Sequence, residues 1–157
     1  MQVSGGVLAF DFGEERIGIA TGDTLVGIAH PLETLHGAET EPRFQRIANL
    51  IAEWQPNALV VGLPTHADGT PHEMTRLAVR FARRLEGRFG LTVFLVDERH
   101  SSLVAEALLK EVGVRGRKQK PALDQVAAQA ILQSFFEAPE MAIAVNDYIL
   151  PTSTPLE

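Results

Sequence analysis

The sequence predicts an α/β protein in which helices cover both faces of a mixed β-sheet. Two observations lead to this prediction: a β-hairpin comes first in the chain, and short apolar strands then alternate with amphipathic helical segments. Alternation of strand and helix is typical of parallel crossovers, which are right-handed. A sheet that begins with a hairpin and continues through such crossovers contains antiparallel and parallel strands together.

Five strands are predicted from short apolar or alternating runs. They cover residues 7–10, 16–21, 25–35, 58–63 and 91–96. The first two flank a turn at residues 12–15 and are therefore expected to form the hairpin. Pro31 has no backbone N–H, so the third strand should be an edge strand or should end there. The last two runs are almost entirely apolar, which is typical of strands buried on both faces.

Helical spacing of apolar residues predicts four helices. They cover residues 42–54, 74–85, 101–112 and 121–136. Pro42 suits the first turn of the first helix, and the glycines at 87 and 90 end the second. The segment from residue 138 contains three prolines and is expected to be loosely attached. We therefore predict one domain over residues 1–137 and a C-terminal tail over 138–157.

Composition limits the classes of function. The chain has 157 residues, no cysteine, and 14 basic against 20 acidic residues, so its net charge is −6. The absence of cysteine excludes disulfides, thiolate zinc sites and iron–sulfur clusters. No apolar run approaches the roughly 20 residues of a membrane span, and no signal peptide is recognisable. We expect a cytoplasmic protein without a membrane partner, and the charge argues against a generic nucleic-acid coat.

Three acidic residues stand at boundaries of the predicted core. Asp11 ends the first strand, Glu98 follows the last strand, and Asp124 lies one turn into the last helix beside its apolar stripe. Ligands of open α/β sheets bind at the carboxyl ends of the strands, so we expect these side chains to converge. Their repulsion would raise a pKa, and a divalent cation would relieve it. Hard oxygen ligands favour Mg²⁺ or Mn²⁺.

Three carboxylates around one or two such ions are suited to phosphodiester hydrolysis. In our hypothesis Asp11 bridges the ions, and Glu98 and Asp124 each hold one side. The competing interpretation treats each acid as a turn former or helix cap, and it suits Asp97. His66 and His100 are interpreted as loop residues outside the catalytic set, although a role in proton transfer stays open.

One basic segment precedes Asp124 and contains no acid. Its cations are Arg115, Arg117, Lys118 and Lys120. We predict that they hold a nucleic-acid backbone without reading its sequence. The alternative is a solvated loop whose charges serve solubility.

Two further arginines complete the predicted nucleic-acid-binding set. Arg16 lies in the hairpin beside Asp11 and could orient either a phosphate or a carboxylate. Arg99 follows Glu98 and could pair with it or reach the substrate.

Four blocks of the sequence, taken together and in this order, strongly resemble the YqgF/RuvX family of the RNase H-like superfamily. They are Asp11-Phe12-Gly13 with Arg16-Ile17-Gly18-Ile19-Ala20, Val60-Val61-Gly62-Leu63-Pro64 with Asp68-Gly69, Val96-Asp97-Glu98-Arg99 with Ser101-Ser102, and Leu123-Asp124-Gln125-Val126 continuing to Ser134. The blocks extend over nearly the whole chain. Each block alone is a weak signal, whereas four in the family's order are specific.

The resemblance implies an RNase H-like fold with a five-stranded mixed sheet, and a metal-dependent nuclease whose acidic positions fall on Asp11, Glu98 and Asp124. Members of the family are described as Holliday junction resolvases and as nucleases that mature the 5′ end of pre-16S rRNA. By this analogy RNA processing is our first expectation. The family often has Asn at His66 and Lys at Gln125, and these departures put phosphate contacts in question rather than the three acids.

Two other functions compete with that of a nuclease. An actin-like ATPase or sugar kinase also opens with an Asp-x-Gly hairpin, but it needs a second lobe for which the chain has no room. A non-catalytic RNase H-like binding module tends to lose acids of the trio, and here all three are present. Junction cleavage would require a dimer with two active sites, and the sequence leaves the oligomeric state open, a homodimer included.

Overall fold

The computed structural model describes residues 3–64, 72–98 and 120–149, with side chains from residue 124 onward in the last range. The strands are β1 Gly6–Asp11, β2 Arg16–Asp23, β3 Ile28–His36, β4 Ala58–Leu63, β5 Val93–Asp97 and β6 Ile143–Ala144. The helices are α1 Thr40–Trp54, α2 Glu73–Phe89 and α3 Lys120–Glu137, followed by 3-10 turns at Pro139–Met141 and Val145–Asp147. The predicted helix at residues 101–112 lies outside the described residues.

The strands form one mixed sheet in the order β3-β2-β1-β4-β5-β6. β1 pairs antiparallel with β2, and β2 pairs antiparallel with β3, as the predicted hairpin requires. β1, β4 and β5 are parallel neighbours. Pro31 lies in the edge strand β3, where the ladder shifts its register. The predicted α/β fold with a mixed sheet is therefore confirmed.

The prediction of five strands is wrong by one, because β6 adds a short sixth strand. Ile143 and Ala144 pair antiparallel with Leu95 and Phe94 of β5, and the next residue, Val145, is completely buried. The expected loose attachment of the tail is therefore wrong for this part of it. A segment of two residues is too short to show a periodic signal. Ile143 and Ala144 form a strand only because they pair with the exposed edge of β5. The domain boundary at residue 137 remains a prediction.

The alternation of side chains along the strands divides the core into two layers. In β1, Leu8 and Phe10 pack into the layer covered by α1 and α2, whereas Val7 and Ala9 pack into the layer covered by α3. The same alternation places Asp11 on the α3 side of the sheet. In β5, Phe94 and Val96 also face α3. Helices thus cover both faces, as predicted, and the α3 layer leads directly to the candidate site.

Three glutamines one turn apart attach α3 to the edge strand β3. The Gln125 amide donates to the Thr34 hydroxyl at 3.2 Å, and the Gln129 amide donates to the Ala29 carbonyl at 3.0 Å. Gln133 accepts from the Ala29 N–H at 3.0 Å. An edge strand leaves backbone groups unpaired, and these side chains satisfy some of them. Gln125, where the family often has Lys, therefore contributes to packing in this chain.

Within the described parts of the chain, every helix is too short or too polar to cross a lipid bilayer.

Candidate active site

The predicted site lies where β1 and β5 end, on the face of the sheet covered by α3. Asp11 and Glu98 meet there through a hydrogen bond between their carboxyl groups. Two carboxyl groups can share a hydrogen bond only if one of them carries a proton. In the absence of a cation this proton relieves the repulsion that two neighbouring carboxylates would otherwise suffer.

Burial is the main cause of the altered acidity of this pair. Burial, the charge and hydrogen bond of Glu98, and the charge of Asp124 together raise the pKa of Asp11 from 3.8 to about 8, and burial is the largest of these causes. Burial also raises the pKa of Glu98, which the hydrogen bond from Asp11 opposes and the charge of Asp97 reinforces. The two groups titrate as one unit. At neutral pH the pair retains one proton.

We expect the free energy of unfolding of the metal-free protein to fall as the pH rises from about 4 to about 8. In this window folded Asp11 binds a proton that the unfolded chain has lost, because its pKa is about 8 in the fold against an ordinary 3.8. The stabilisation is complete below the unfolded pKa and is lost as the pH passes through the folded one. Urea unfolding at a series of pH values in EDTA measures it.

The matched control is Asp11→Asn, which cannot titrate at this position. The pKa of Glu33, which Arg46 lowers through a hydrogen bond, changes stability in the opposite sense at acid pH and is common to both proteins. The difference between wild type and variant therefore isolates the shared proton of the Asp11–Glu98 pair. An equal pH dependence in the two proteins would contradict the shared proton.

Asp124 approaches the pair from α3 and is held by Arg16 of β2. The Arg16 Nε donates to Asp124 Oδ2 at 2.6 Å. Of the two alternatives for Arg16, this structure shows the one in which it orients a carboxylate. Asp124 still acts electrostatically on Asp11. The three predicted acids thus lie at one end of the sheet, but only Asp11 and Glu98 are in contact, while Asp124 is ion-paired to Arg16.

Two glycines allow the acids to approach one another. Gly18 is the partner of Asp11 across the β1–β2 ladder, and a Cβ there would lie 2.0 Å from the backbone carbonyl oxygen of Asp124. Gly62 of β4 provides space for the Glu98 carboxylate, since a Cβ would lie 2.7 Å from Glu98 Oε2. The backbone of Asp124 and the carboxylate of Glu98 can therefore come this close to the sheet because the strands have no side chain at these two positions.

Sequence reasoning missed Arg43, which fixes the turn after Asp11. Its Nη2 donates to the carbonyls of Gly13 at 2.8 Å and Glu14 at 2.5 Å, and its Nε donates to Gly37 at 2.7 Å. Arg43 is only 8% exposed. Its position on the apolar stripe of α1, four residues before Ile47, was the available signal. By holding this turn, Arg43 positions the end of β1 and with it Asp11.

Most of the predicted nucleic-acid-binding residues lie outside the described residues. These are Arg99, Arg115, Arg117 and Lys118, together with the side chain of Lys120 at the start of α3. His66 and His100 lie outside them as well. Arg16 is the member of that set whose side chain the structure describes.

The metal prediction rests on the chemistry of the three carboxylates. Among the described residues no three carboxylate or imidazole side chains are grouped to hold one metal ion. Asp11 and Glu98 are in contact, while Asp124 is directed to Arg16. A buried carboxyl pair that retains a proton at neutral pH is nevertheless suited to binding a hard divalent cation. The cation can take the place of that proton between the two groups.

Two curated relatives match the chain over nearly their full length. A protein of Chromobacterium violaceum named "Putative pre-16S rRNA nuclease" is 64% identical over 137 residues, which are 87% of this chain and all of that protein. A protein of Dechloromonas aromatica with the same name is 61% identical over 88% of this chain and 95% of its own length.

Solved structures of low sequence identity share the fold. Thermus thermophilus RuvC in complex with Holliday junction substrate superimposes with a TM-score of 0.58 at 16% identity, covering 88% of this chain and 98% of that one. A second structure of Thermus thermophilus RuvC gives 0.52 at 15% identity over 88% and 99% of the two chains. This likeness concerns the fold, and it agrees with the expected RNase H-like architecture.

The sequence model of the RuvX family, whose description is "Holliday junction resolvase", matches residues 5–138. That range includes Asp11, Glu98 and Asp124. The two curated relatives match a similar share of this chain, 87% and 88%. The chain belongs to the RuvX family, as the four sequence blocks predicted.

Proposed function

We propose that this protein is a divalent-metal-dependent nuclease that hydrolyses phosphodiester bonds in the 5′-end maturation of pre-16S rRNA. The substrate follows from the name of relatives that are up to 64% identical and match almost end to end. The observation that carries the chemistry is the buried Asp11–Glu98 pair with Asp124 opposite it. A cytoplasmic location follows from this substrate and is part of the proposal.

Asp11, Glu98 and Asp124 are the residues that would hold Mg²⁺ or Mn²⁺. When bound, such ions supply charge neutralisation at the phosphate and an acidified water as nucleophile. The chain itself contributes the position of the ligands. β1 and β5 bring Asp11 and Glu98 into contact, and α3 brings Asp124 to the same end of the sheet.

Arg16 is proposed to orient Asp124 in the metal-free state and to meet the substrate phosphate when that carboxylate is engaged elsewhere. Its guanidinium is partly exposed beside the acids, which suits such an exchange. The nucleic-acid backbone is proposed to contact Arg99 and the basic segment that contains Arg115, Arg117, Lys118 and Lys120.

A Holliday junction resolvase is the second candidate, and the description of the family favours it. This activity requires two active sites on one branched molecule and hence a dimer. A third candidate of another class is a non-catalytic RNase H-like nucleic-acid-binding module, which would bind nucleic acid but leave it intact.

Parallel cleavage assays separate these candidates. The purified protein is incubated with Mn²⁺ or Mg²⁺ and either an RNA that spans the 5′ end of 16S rRNA within its precursor or a four-way DNA junction. The Asp11→Asn protein is the control for contaminating nuclease. Cleavage of the RNA alone supports the proposal, and cleavage of the junction alone supports the resolvase. Binding without cleavage of either substrate, at any concentration of either metal, supports the module and overturns the proposal.

Arg16→Gln is expected to tighten Mn²⁺ binding by about twofold to fivefold. The substitution frees Asp124 from an ion pair, and the effect is modest because both members of the pair are partly exposed. Isothermal titration calorimetry of the EDTA-treated protein measures the change. The matched control is Arg46→Gln, which breaks the 2.7 Å pair with Glu33 away from the acids. Equal or weaker Mn²⁺ binding in Arg16→Gln, with Arg46→Gln unchanged, would show that Asp124 is not a ligand.

A further inference from the structure

A groove with basic walls opens on the face of the sheet opposite α3. It lies between α1 and α2, has a volume of about 280 Å³, and begins at Phe12, the residue after Asp11. We call it the arginine groove and define it by Phe12, Arg43, Phe44, Arg80, Phe81 and Arg84. None of these residues belongs to the nucleic-acid-binding set predicted from the sequence.

The charge of the groove is opposite to that of the chain. Its lining has three guanidinium groups, Arg43, Arg80 and Arg84, and one carboxylate, Glu14, whereas the whole chain has a net charge of −6. Arg80 and Arg84 lie one helical turn apart on α2 and are exposed. Neither forms an ion pair among the residues that the structure describes. Their charges therefore act on whatever enters the groove.

Other arginines of α2 differ in this respect. Arg76 pairs with Glu73 and Arg88 pairs with Glu41, each at 2.7 Å. Arg83 donates to the Tyr148 carbonyl at 3.3 Å. Of the five arginines of α2, Arg80 and Arg84 are thus the two that have neither an ion pair nor a hydrogen bond with the residues that the structure describes, and both line the groove.

The floor of the groove is aromatic and fixed. The rings of Phe12 and Phe81 lie 4.9 Å apart, and those of Phe44 and Phe81 lie 5.8 Å apart. The guanidinium of Arg43 stands 5.6 Å from the centre of the Phe12 ring while it holds the turn after Asp11. An apolar floor between arginine walls suits a chain of sugars and bases with regularly spaced phosphates.

We propose that the arginine groove binds the phosphodiester backbone of the nucleic-acid substrate beside the cleavage site. The inference rests on the proposed function, because it assigns a second contact to the same substrate. Phe12 follows Asp11 at the end of β1, so a strand whose scissile phosphate lies at the acids on the α3 side would pass over this end of the sheet to enter the groove. Arg80 and Arg84 then contact phosphates without reading the base sequence.

The test compares neighbouring arginines of one helix. Arg84→Gln removes a groove charge, and Arg83→Gln removes the same charge from an exposed residue outside the groove. Binding of a fluorescein-labelled RNA that spans the 5′ end of 16S rRNA is measured by fluorescence anisotropy in EDTA, so that nothing is cleaved. We expect Arg80→Gln/Arg84→Gln to weaken binding about tenfold and to reduce the slope of log affinity against log salt by about 1.4. Arg84→Gln alone should show about half that change in slope.

Three outcomes would overturn the proposal. The first is that the double variant has the affinity and salt slope of the wild type. The second is that Arg83→Gln weakens RNA binding as much as Arg84→Gln does. The third is that adenosine monophosphate displaces the RNA when it is present at the same concentration, which would indicate a mononucleotide pocket. Thermal unfolding checks that the variants are folded, which we expect because the three arginines are exposed.

A separate assay distinguishes failure of the groove from failure of the nuclease proposal. The assay measures hydrolysis of bis(p-nitrophenyl) phosphate with Mn²⁺. This reaction requires the acids, but the compound is too small to extend from the acids into the groove. If the double variant hydrolyses this compound as fast as the wild type and binds RNA equally well, only the groove proposal is refuted. Weakened RNA binding without hydrolysis of any substrate would refute the nuclease and leave the groove.

Discussion

Asp11→Asn is expected to abolish phosphodiester cleavage and, at the same time, to stabilise the metal-free protein at pH 7.5. The loss of activity should reach about 10³-fold or more, as is usual when a residue that acts within a catalytic group is removed. A neutral amide would hold a hard divalent cation less tightly than a carboxylate does, because it carries no charge to neutralise that of the cation. Cleavage of the precursor RNA at saturating Mn²⁺ measures the loss.

The gain in stability has a separate physical cause. Burial raises the pKa of Asp11 to about 8, which means that the fold disfavours its charge. The amide has the same shape, carries no charge, and can still donate a hydrogen bond to Glu98. We expect an increase of about 1–3 kcal/mol in the free energy of unfolding, measured by urea unfolding in EDTA. Such an exchange of stability for activity is common at functional sites.

Adding Mn²⁺ should reverse the order of stability. A cation that binds only the folded wild type raises its stability by mass action, whereas the variant should gain little. Asp23→Asn makes the same chemical change at the opposite end of the β1–β2 ladder and serves as the control. If Asp11→Asn retained cleavage, or if Mn²⁺ stabilised it as strongly as the wild type, Asp11 would not be a metal ligand.

Among Gly→Ala substitutions at the glycines that the structure describes, Gly18→Ala is expected to destabilise the fold most. The new Cβ would lie 2.0 Å from the carbonyl oxygen and 2.4 Å from the carbonyl carbon of Asp124. These are backbone atoms of α3, so the whole helix must shift. We expect a loss of about 3 kcal/mol or more in the free energy of unfolding, together with loss of cleavage because Asp124 moves with the helix.

Two other glycines test whether backbone contact is the cause. Gly87 lies within α2, and a Cβ there meets no atom within 4 Å, so Gly87→Ala should be neutral or stabilise by up to about 1 kcal/mol. At Gly62 the nearest atoms are Ile131 Cδ1 and Glu98 Oε2, which are side-chain ends that can move. Gly62→Ala should therefore cost less stability than Gly18→Ala while still displacing Glu98. Similar stability of all three variants would refute this explanation.

Hydrophobic periodicity was sufficient for most of the secondary structure. The hairpin, the two buried strands and three helices of the described residues lie where the pattern predicted them, within a few residues at their ends. Periodicity succeeds for long segments because burial repeats along them. It failed for Ile143–Ala144, since a two-residue strand has no period and exists only by pairing with β5.

The candidate site was predictable in its members but not in their contacts. Asp11, Glu98 and Asp124 could be identified because each acid interrupts an apolar segment at its end. That Asp11 and Glu98 share a proton, while Arg16 holds Asp124, depends on distances between residues up to 108 positions apart. The roles of Gly18, Gly62 and Arg43 also depend on what the fold places opposite them.

By itself the sequence determined the fold class, the family and the three acids, because local periodicity and residue chemistry are properties of the chain. The tertiary structure alone decided which acids touch, which arginines are already paired, and that unpaired cations line a groove beside Asp11. Pairing energies and pKa values depend on separations of a few ångströms and on burial. Neither quantity exists before the strands and helices have packed.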